Sequence, residues 1–155
     1  MTDQEQTIGE QQYLALLGPS DTPVLQSYVD EIANRGLRKY RKHIQTGKKE
    51  GQSYYKHALD GVMVLVRLFD LPGLVQNDVE QRCLLLAFTV HDINKVVDSR
   101  GRKYVDIADP ETIATELESL GADNFFSEWR TYLPDIVDLV QLHQEHLAVT
   151  AARFD

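Results

Sequence analysis

Apolar positions along this chain recur mostly with the spacing of helices, and strand-like alternation is scarce. Glu10 to Leu17, closed by Gly18, predicts a short first helix. The stretch "SDTPVLQSYVDEIANRG" offers Thr22 as N-cap and Pro23 at the first helical position, with Gly36 placed to end or kink the helix. After the loop "KKEGQS", Ser53 can cap a helix over Tyr54 to Phe69, which "DLPG" terminates. Asn77 or Asp78 starts the next helix, which runs into His91. Asp109, followed by Pro110 and Glu111, caps another that closes at Gly121. A turn region around Asn124 to Tyr132 precedes Pro134, which opens a last helix toward Ala148. The single β candidate is "KYVDI", residues 103 to 107, and it is short. The pattern predicts an all-α fold.

Composition narrows the class without naming a function. The chain has 155 residues, 43% of them hydrophobic and 26% charged, as in an ordinary soluble single domain. The longest apolar run, Leu84 to Val90, is far short of the ~20 residues that a membrane span needs. The polar, acidic start "MTDQEQTIGEQQ" does not read as a signal peptide, and the one cysteine, Cys83, excludes an internal disulfide. A reducing, cytoplasmic setting is the expectation, with Cys83 a small buried hydrophobe. Net charge is -8, which argues against a freestanding nucleic-acid binder. Yet Arg35, Arg38, Lys39, Arg41, Lys42, Lys48, Lys49 and Lys56 place half of the 16 basic residues in one stretch. That stretch can follow a phosphate backbone or an acidic partner, or it can be a solvated helix face.

The chemistry gathers where apolar helices carry ionisable groups. "LLLAFTVHDINKVVDS" begins as a buried helix and ends on His91, Asp92, Asn94 and Lys95. A lone carboxylate at such a place is costly, whereas a divalent cation can take imidazole nitrogen and carboxylate oxygen together. Lys95 is one turn beyond His91 and can reach the same pocket. In "YYKHALDGVMVLVRLF", Val64 and Leu68 lie within about 20° of His57 on a helical wheel, and Gly61 within about 40°. That helix is apolar nearly all round, which predicts a central position. In "PDIVDLVQLHQEHLAV", His143 falls on the apolar stripe and His146 at its edge. Each histidine alone also suits a hydrogen-bonded core residue. Three apolar helices that each aim imidazole inward favour a metal centre.

The order His57, then the adjacent pair His91-Asp92, then later histidines, resembles the HD-domain superfamily of metal-dependent phosphohydrolases. "HDINK" is close to that family's HD-x-G-K form, with Asn94 where glycine is frequent. Within it, "YYKHALDGVMVLVRLF" followed by "LLLAFTVHDINKV" most resembles the HD nuclease domains of CRISPR interference systems. The nearest likeness is the N-terminal HD domain of the type I-D effector large subunit, related to the HD nuclease of the type I nuclease-helicase. The likeness runs from about residue 50 to the C-terminus.

The resemblance implies a compact HD helical bundle with a metal site between central helices. It assigns residues 51–155 to the metal-binding core and 1–50 to N-terminal helices with the basic segment, together the N-terminal part of a longer antiviral-defence protein. It implies His57, His91, Asp92, His143 and His146 as metal ligands, and Asp92 and Lys95 as catalytic. The cofactor implied is one or two divalent ions, Mn, Ni, Co or Fe sooner than Mg. Arg38, Lys39, Arg41, Lys42, Arg100, Arg102 and Lys103 would contact single-stranded DNA, with guide RNA and other effector subunits as partners. The family's final aspartate has no evident counterpart here: Asp155 takes that role or the chain stops before the family's last helix. Alternatives are an HD phosphohydrolase acting on a nucleotide or cyclic nucleotide, and a catalytically inactive HD scaffold module.

Overall fold

A computed structural model of the protein describes residues 23–41, 43, 53–69, 77–93, 96, 102 and 107–141. They are predominantly helical and contain no strand. Helix α1, Pro23–Tyr28, passes directly into a π-helical turn, Val29–Ala33, and then a 3-10 helix, Gly36–Tyr40. Helix α2 spans Tyr54–Phe69, α3 Asp78–Val90, α4 Pro110–Leu120 and α5 Ala122–Phe125. Helix α6 covers 133–141. The predicted helix over 10–17, most of "KYVDI" and the end of the last helix lie outside the described residues.

Most boundaries follow from end chemistry. Ser53 Oγ accepts from the Lys56 amide at 3.2 Å, and Asn77 Oδ1 accepts from the Glu80 amide at 2.8 Å. Asp109 accepts from the Glu111 amide at 3.1 Å, and Pro110 occupies the first turn of α4, where its missing N–H costs nothing. Gly121 then closes α4 at φ 101°, in the left-handed region that favours glycine.

The helix predicted from Pro23 turns π-helical at Val29, and Gly36, expected to end or kink it, opens the 3-10 helix. The Asn34 amide donates to Val29 O at 2.9 Å, a five-residue span, and the Arg38 amide reaches Arg35 O at 3.1 Å. Close docking onto α4 supplies the reason. A Cβ on Gly36 would lie 2.3 Å from Leu120 O, and one on Gly121 would lie 2.8 Å from Glu31 O. Two glycines thus let the π turn and the 3-10 helix press backbone against the end of α4.

Helices α2 and α3 form the central pair, with α1 and α4 against α3. Tyr54, Tyr55, Ala58, Leu59, Val62 and Leu65 give α2 its buried stripe, which meets Leu85, Leu86 and Val90 of α3. Burying each large aliphatic side chain contributes about 1.5–3 kcal/mol. Trp129 is fully buried, donates from Nε1 to Asp123 at 2.7 Å, and carries the Arg130 guanidinium 4.3 Å from its ring centre. Cys83 is buried, as expected. Loss of water contact and the negative charges of Asp135 and Glu80 push its thiol up to about 11, so it stays protonated near neutrality. No helix among the described residues is long and apolar enough to cross a membrane.

Candidate metal centre

Helix α2 contributes His57 and the end of α3 contributes His91 and Asp92, and the three side chains converge. His57 Nε2 lies 2.8 Å from Asp92 Oδ2, and His91 Nε2 lies 3.2 Å from the same oxygen. Asp92 is 7% exposed, and both rings are mostly covered. The ring centres of His57 and His91 stand 6.4 Å apart.

His91 Nδ1 lies 2.6 Å from the Phe88 carbonyl, which can only accept, so that nitrogen carries the ring proton. A neutral His91 then presents a bare lone pair at Nε2 to a carboxylate oxygen. Two acceptors at 3.2 Å repel unless positive charge joins them, either a second ring proton or a bound cation. Donation of the other ring N–H to a backbone carbonyl is also how metal-ligating imidazoles are generally held. The cluster sits at the C-terminal end of α3, where the helix dipole places roughly half a negative elementary charge and favours a cation.

The donors are nonetheless not set around an open point. Among the described residues, no group of three or more His, Cys, Asp or Glu side chains is arranged to hold a metal. The imidazoles point at a carboxylate oxygen instead. Their donor chemistry, two imidazole nitrogens and one carboxylate oxygen, fits a divalent transition metal. His143, His146 and Lys95 lie outside the described residues, as do Lys42, Arg100 and Lys103.

Sequence periodicity placed Val64 on the interior side with His57, but Val64 is 60% exposed. That face of α2 is exposed at Val64 but mostly covered at His57, while the Tyr55–Ala58–Leu59–Val62 side packs inward. Gly61 lies between them on that face, half-buried, and a Cβ there would meet only the Phe88 ring, at 3.9 Å. The apolar residues of α2 exceed what one buried stripe requires.

The other predicted positions divide. Arg102 is exposed, and Arg38 and Arg41 are half-buried around the 3-10 helix. Lys39 is committed to the fold: its Nζ lies 2.9 Å from Glu116 Oε1 and 2.7 Å from Ser119 Oγ. Tyr40 OH donates to the same Glu116 oxygen at 2.5 Å. Glu116 was not singled out from sequence, although it stands among Ile113, Leu117 and Leu120 on the buried stripe of α4, and an acid on such a stripe is the signal.

A layer of hydroxyls beneath the cluster also went unread. Tyr54 OH donates to the Thr89 carbonyl at 2.6 Å. Tyr28 OH meets Thr89 Oγ1 at 2.7 Å, and that hydroxyl donates to Leu85 O at 2.6 Å. Burial first, and then the nearby Asp92 charge, hold the Tyr54 phenol well above its ordinary range. Elsewhere a cleft of about 410 Å³ is lined by residues including Ser27, Asp78, Arg82 and Glu128. Its arginine is engaged by Asp78 at 2.7 Å and by the Phe125 carbonyl, so it does not read as a phosphate site.

No protein-family model, curated protein or solved structure matches this chain.

Proposed function

We propose that the protein is a metal-dependent phosphodiesterase of HD type that cleaves single-stranded DNA, as the nuclease domain of a CRISPR interference complex. The observation that carries this reading is the meeting of two imidazole Nε2 atoms on one buried carboxylate oxygen, with His91 held through Nδ1 by a backbone carbonyl. His57, His91 and Asp92 would hold the ion, with His143 and His146 as further ligands. A divalent cation held there would supply Lewis acidity for activating water and offsetting phosphoryl charge.

The chain's own groups do the rest. Phe88 O fixes the tautomer of His91 and leaves Nε2 as the electron-pair donor. Asp92 offsets positive charge inside a largely covered site. Lys95 would neutralise phosphate charge, and Arg38, Arg41, Arg100, Arg102 and Lys103 would flank the strand. Guide RNA and partner subunits would supply sequence specificity.

A smaller substrate, a nucleotide or cyclic nucleotide, is the second reading. The commitment of Lys39 to Glu116 favours it, because one cation of the basic stretch serves the fold. Cleavage of end-labelled single-stranded DNA with Mn, Fe, Co and Ni, set beside nucleotide hydrolysis, separates the two. The expected result is metal-dependent DNA cleavage that Asp92→Ala abolishes, with duplex a poorer substrate. Equal cleavage by the variant, or an inert wild type with every metal, removes the nuclease reading.

A further inference from the structure

We infer that Tyr54 is a positioning residue for this centre: its buried hydroxyl, bonded to the Thr89 carbonyl, sets the direction in which His91 and Asp92 leave α3. The inference rests on the metal-centre reading of the cluster.

The last four carbonyls of a helix have no partner within it, and the groups that satisfy them fix how the chain departs. At the end of α3 two of these carbonyls have side-chain donors. Phe88 O receives the His91 ring, and Thr89 O receives the Tyr54 hydroxyl. Tyr54 is fully buried and wedged edge-on against Tyr40, with ring centres 5.4 Å apart. A phenol so confined aims its hydroxyl in one direction. The Tyr54 amide also donates to His43 O at 2.8 Å, which anchors the start of α2.

Tyr54 bears on both helices that build the centre. It lies one turn before His57 on α2, with the two ring centres 6.1 Å apart. Its hydroxyl bonds the carbonyl of Thr89, two positions before His91. Thr89 cannot swing to follow a different path, because its side chain accepts from Tyr28 and donates to Leu85 O. One side chain therefore couples the α2 imidazole to the backbone that carries the α3 imidazole and carboxylate.

Tyr54→Phe removes the hydroxyl and keeps the ring. Tyr40→Phe is the matched control, since it deletes another buried phenol oxygen whose partner is Glu116. Each full-length variant is measured for thermal midpoint in chelator, for Mn affinity by calorimetry, and for the visible spectrum of bound Co. Tyr54→Phe is expected to weaken Mn binding about 10-fold, the lower end of what loss of a direct outer partner of a ligand costs because Tyr54 acts through the backbone, and to change the Co spectrum. Tyr40→Phe is expected to lose thermal stability while keeping wild-type affinity and spectrum. Wild-type affinity and spectrum in Tyr54→Phe overturn the inference, as does loss of affinity in both variants in step with their stability. A wild type that takes up neither Mn nor Co overturns the metal centre itself, an outcome distinct from a failure of Tyr54 alone.

Discussion

Two buried carboxylates in this molecule meet their partners through different chemistry. Glu116, 8% exposed, meets Lys39 and Tyr40 on one oxygen; Asp92, 7% exposed, meets His57 and His91 on one oxygen. The geometry is parallel and the chemistry is not. An ammonium brings its own positive charge, and a phenol O–H donates. Imidazoles carry positive charge only when doubly protonated, and His91 has spent its neutral-ring proton on Phe88 O. A carboxylate with its own fixed cation belongs to the fold. One that accepts from His57 and faces the Nε2 lone pair of His91 is suited to receive a cation.

The largest expected effect breaks the Glu116 side of this comparison. Gly36 opens the 3-10 helix that delivers Lys39 and Tyr40, and a Cβ there would collide with the Leu120 backbone. Because backbone cannot swing aside, Gly36→Ala should cost about 3 kcal/mol or more in chemical denaturation. Glu116→Ala should come next, at about 2–3 kcal/mol, since it strips the charged partner from Tyr40 and Lys39. Asp92→Ala, measured in chelator, should cost only about 1 kcal/mol. Equal losses at Glu116 and Asp92 would break the distinction.

Alkaline pH sharpens it from another side. Burial holds the phenols of Tyr28 and Tyr54 above their unfolded value near 10. A raised folded pKa means that their stabilisation is fully present below pH ~10 and is lost as pH climbs past it. The two together should steepen that fall by about 2.7 kcal/mol per pH unit, and Tyr54→Phe should remove about half of the slope. Urea titrations between neutrality and high pH check this. The smallest effect is expected at Gly61, where the space beside His57 is not needed by the backbone. Gly61→Ala should raise stability by about 0.5–1 kcal/mol, read as a higher thermal midpoint.

Local chemistry made the helix ends legible: Ser53, Asn77, Asp109-Pro110 and Gly121 each act within a few residues of the boundary they set. The π turn and 3-10 helix were not legible, because they follow from backbone contact with α4, far away in sequence. The meeting of His57 with His91-Asp92 was readable because each stands on an apolar helix. The outward tilt of Val64 was not, since a helix apolar on most faces does not reveal which face is buried. Lys39 read as part of a basic surface only while its partner, 77 positions on at Glu116, was unknown. Tyr54, Thr89 and Tyr28 gave no local sign, for aromatic and hydroxyl residues on buried helices look like ordinary core.

The central claim is that Asp92 and the two imidazoles take up a divalent cation. Its most direct test is thermal unfolding of the full chain during a Mn titration, run beside Asp92→Ala. Wild type should rise with added metal and saturate, gaining about 2.7 kcal/mol at a hundredfold excess over the dissociation constant, while the variant stays flat. No rise in wild type, or the same rise in both proteins, would contradict the claim.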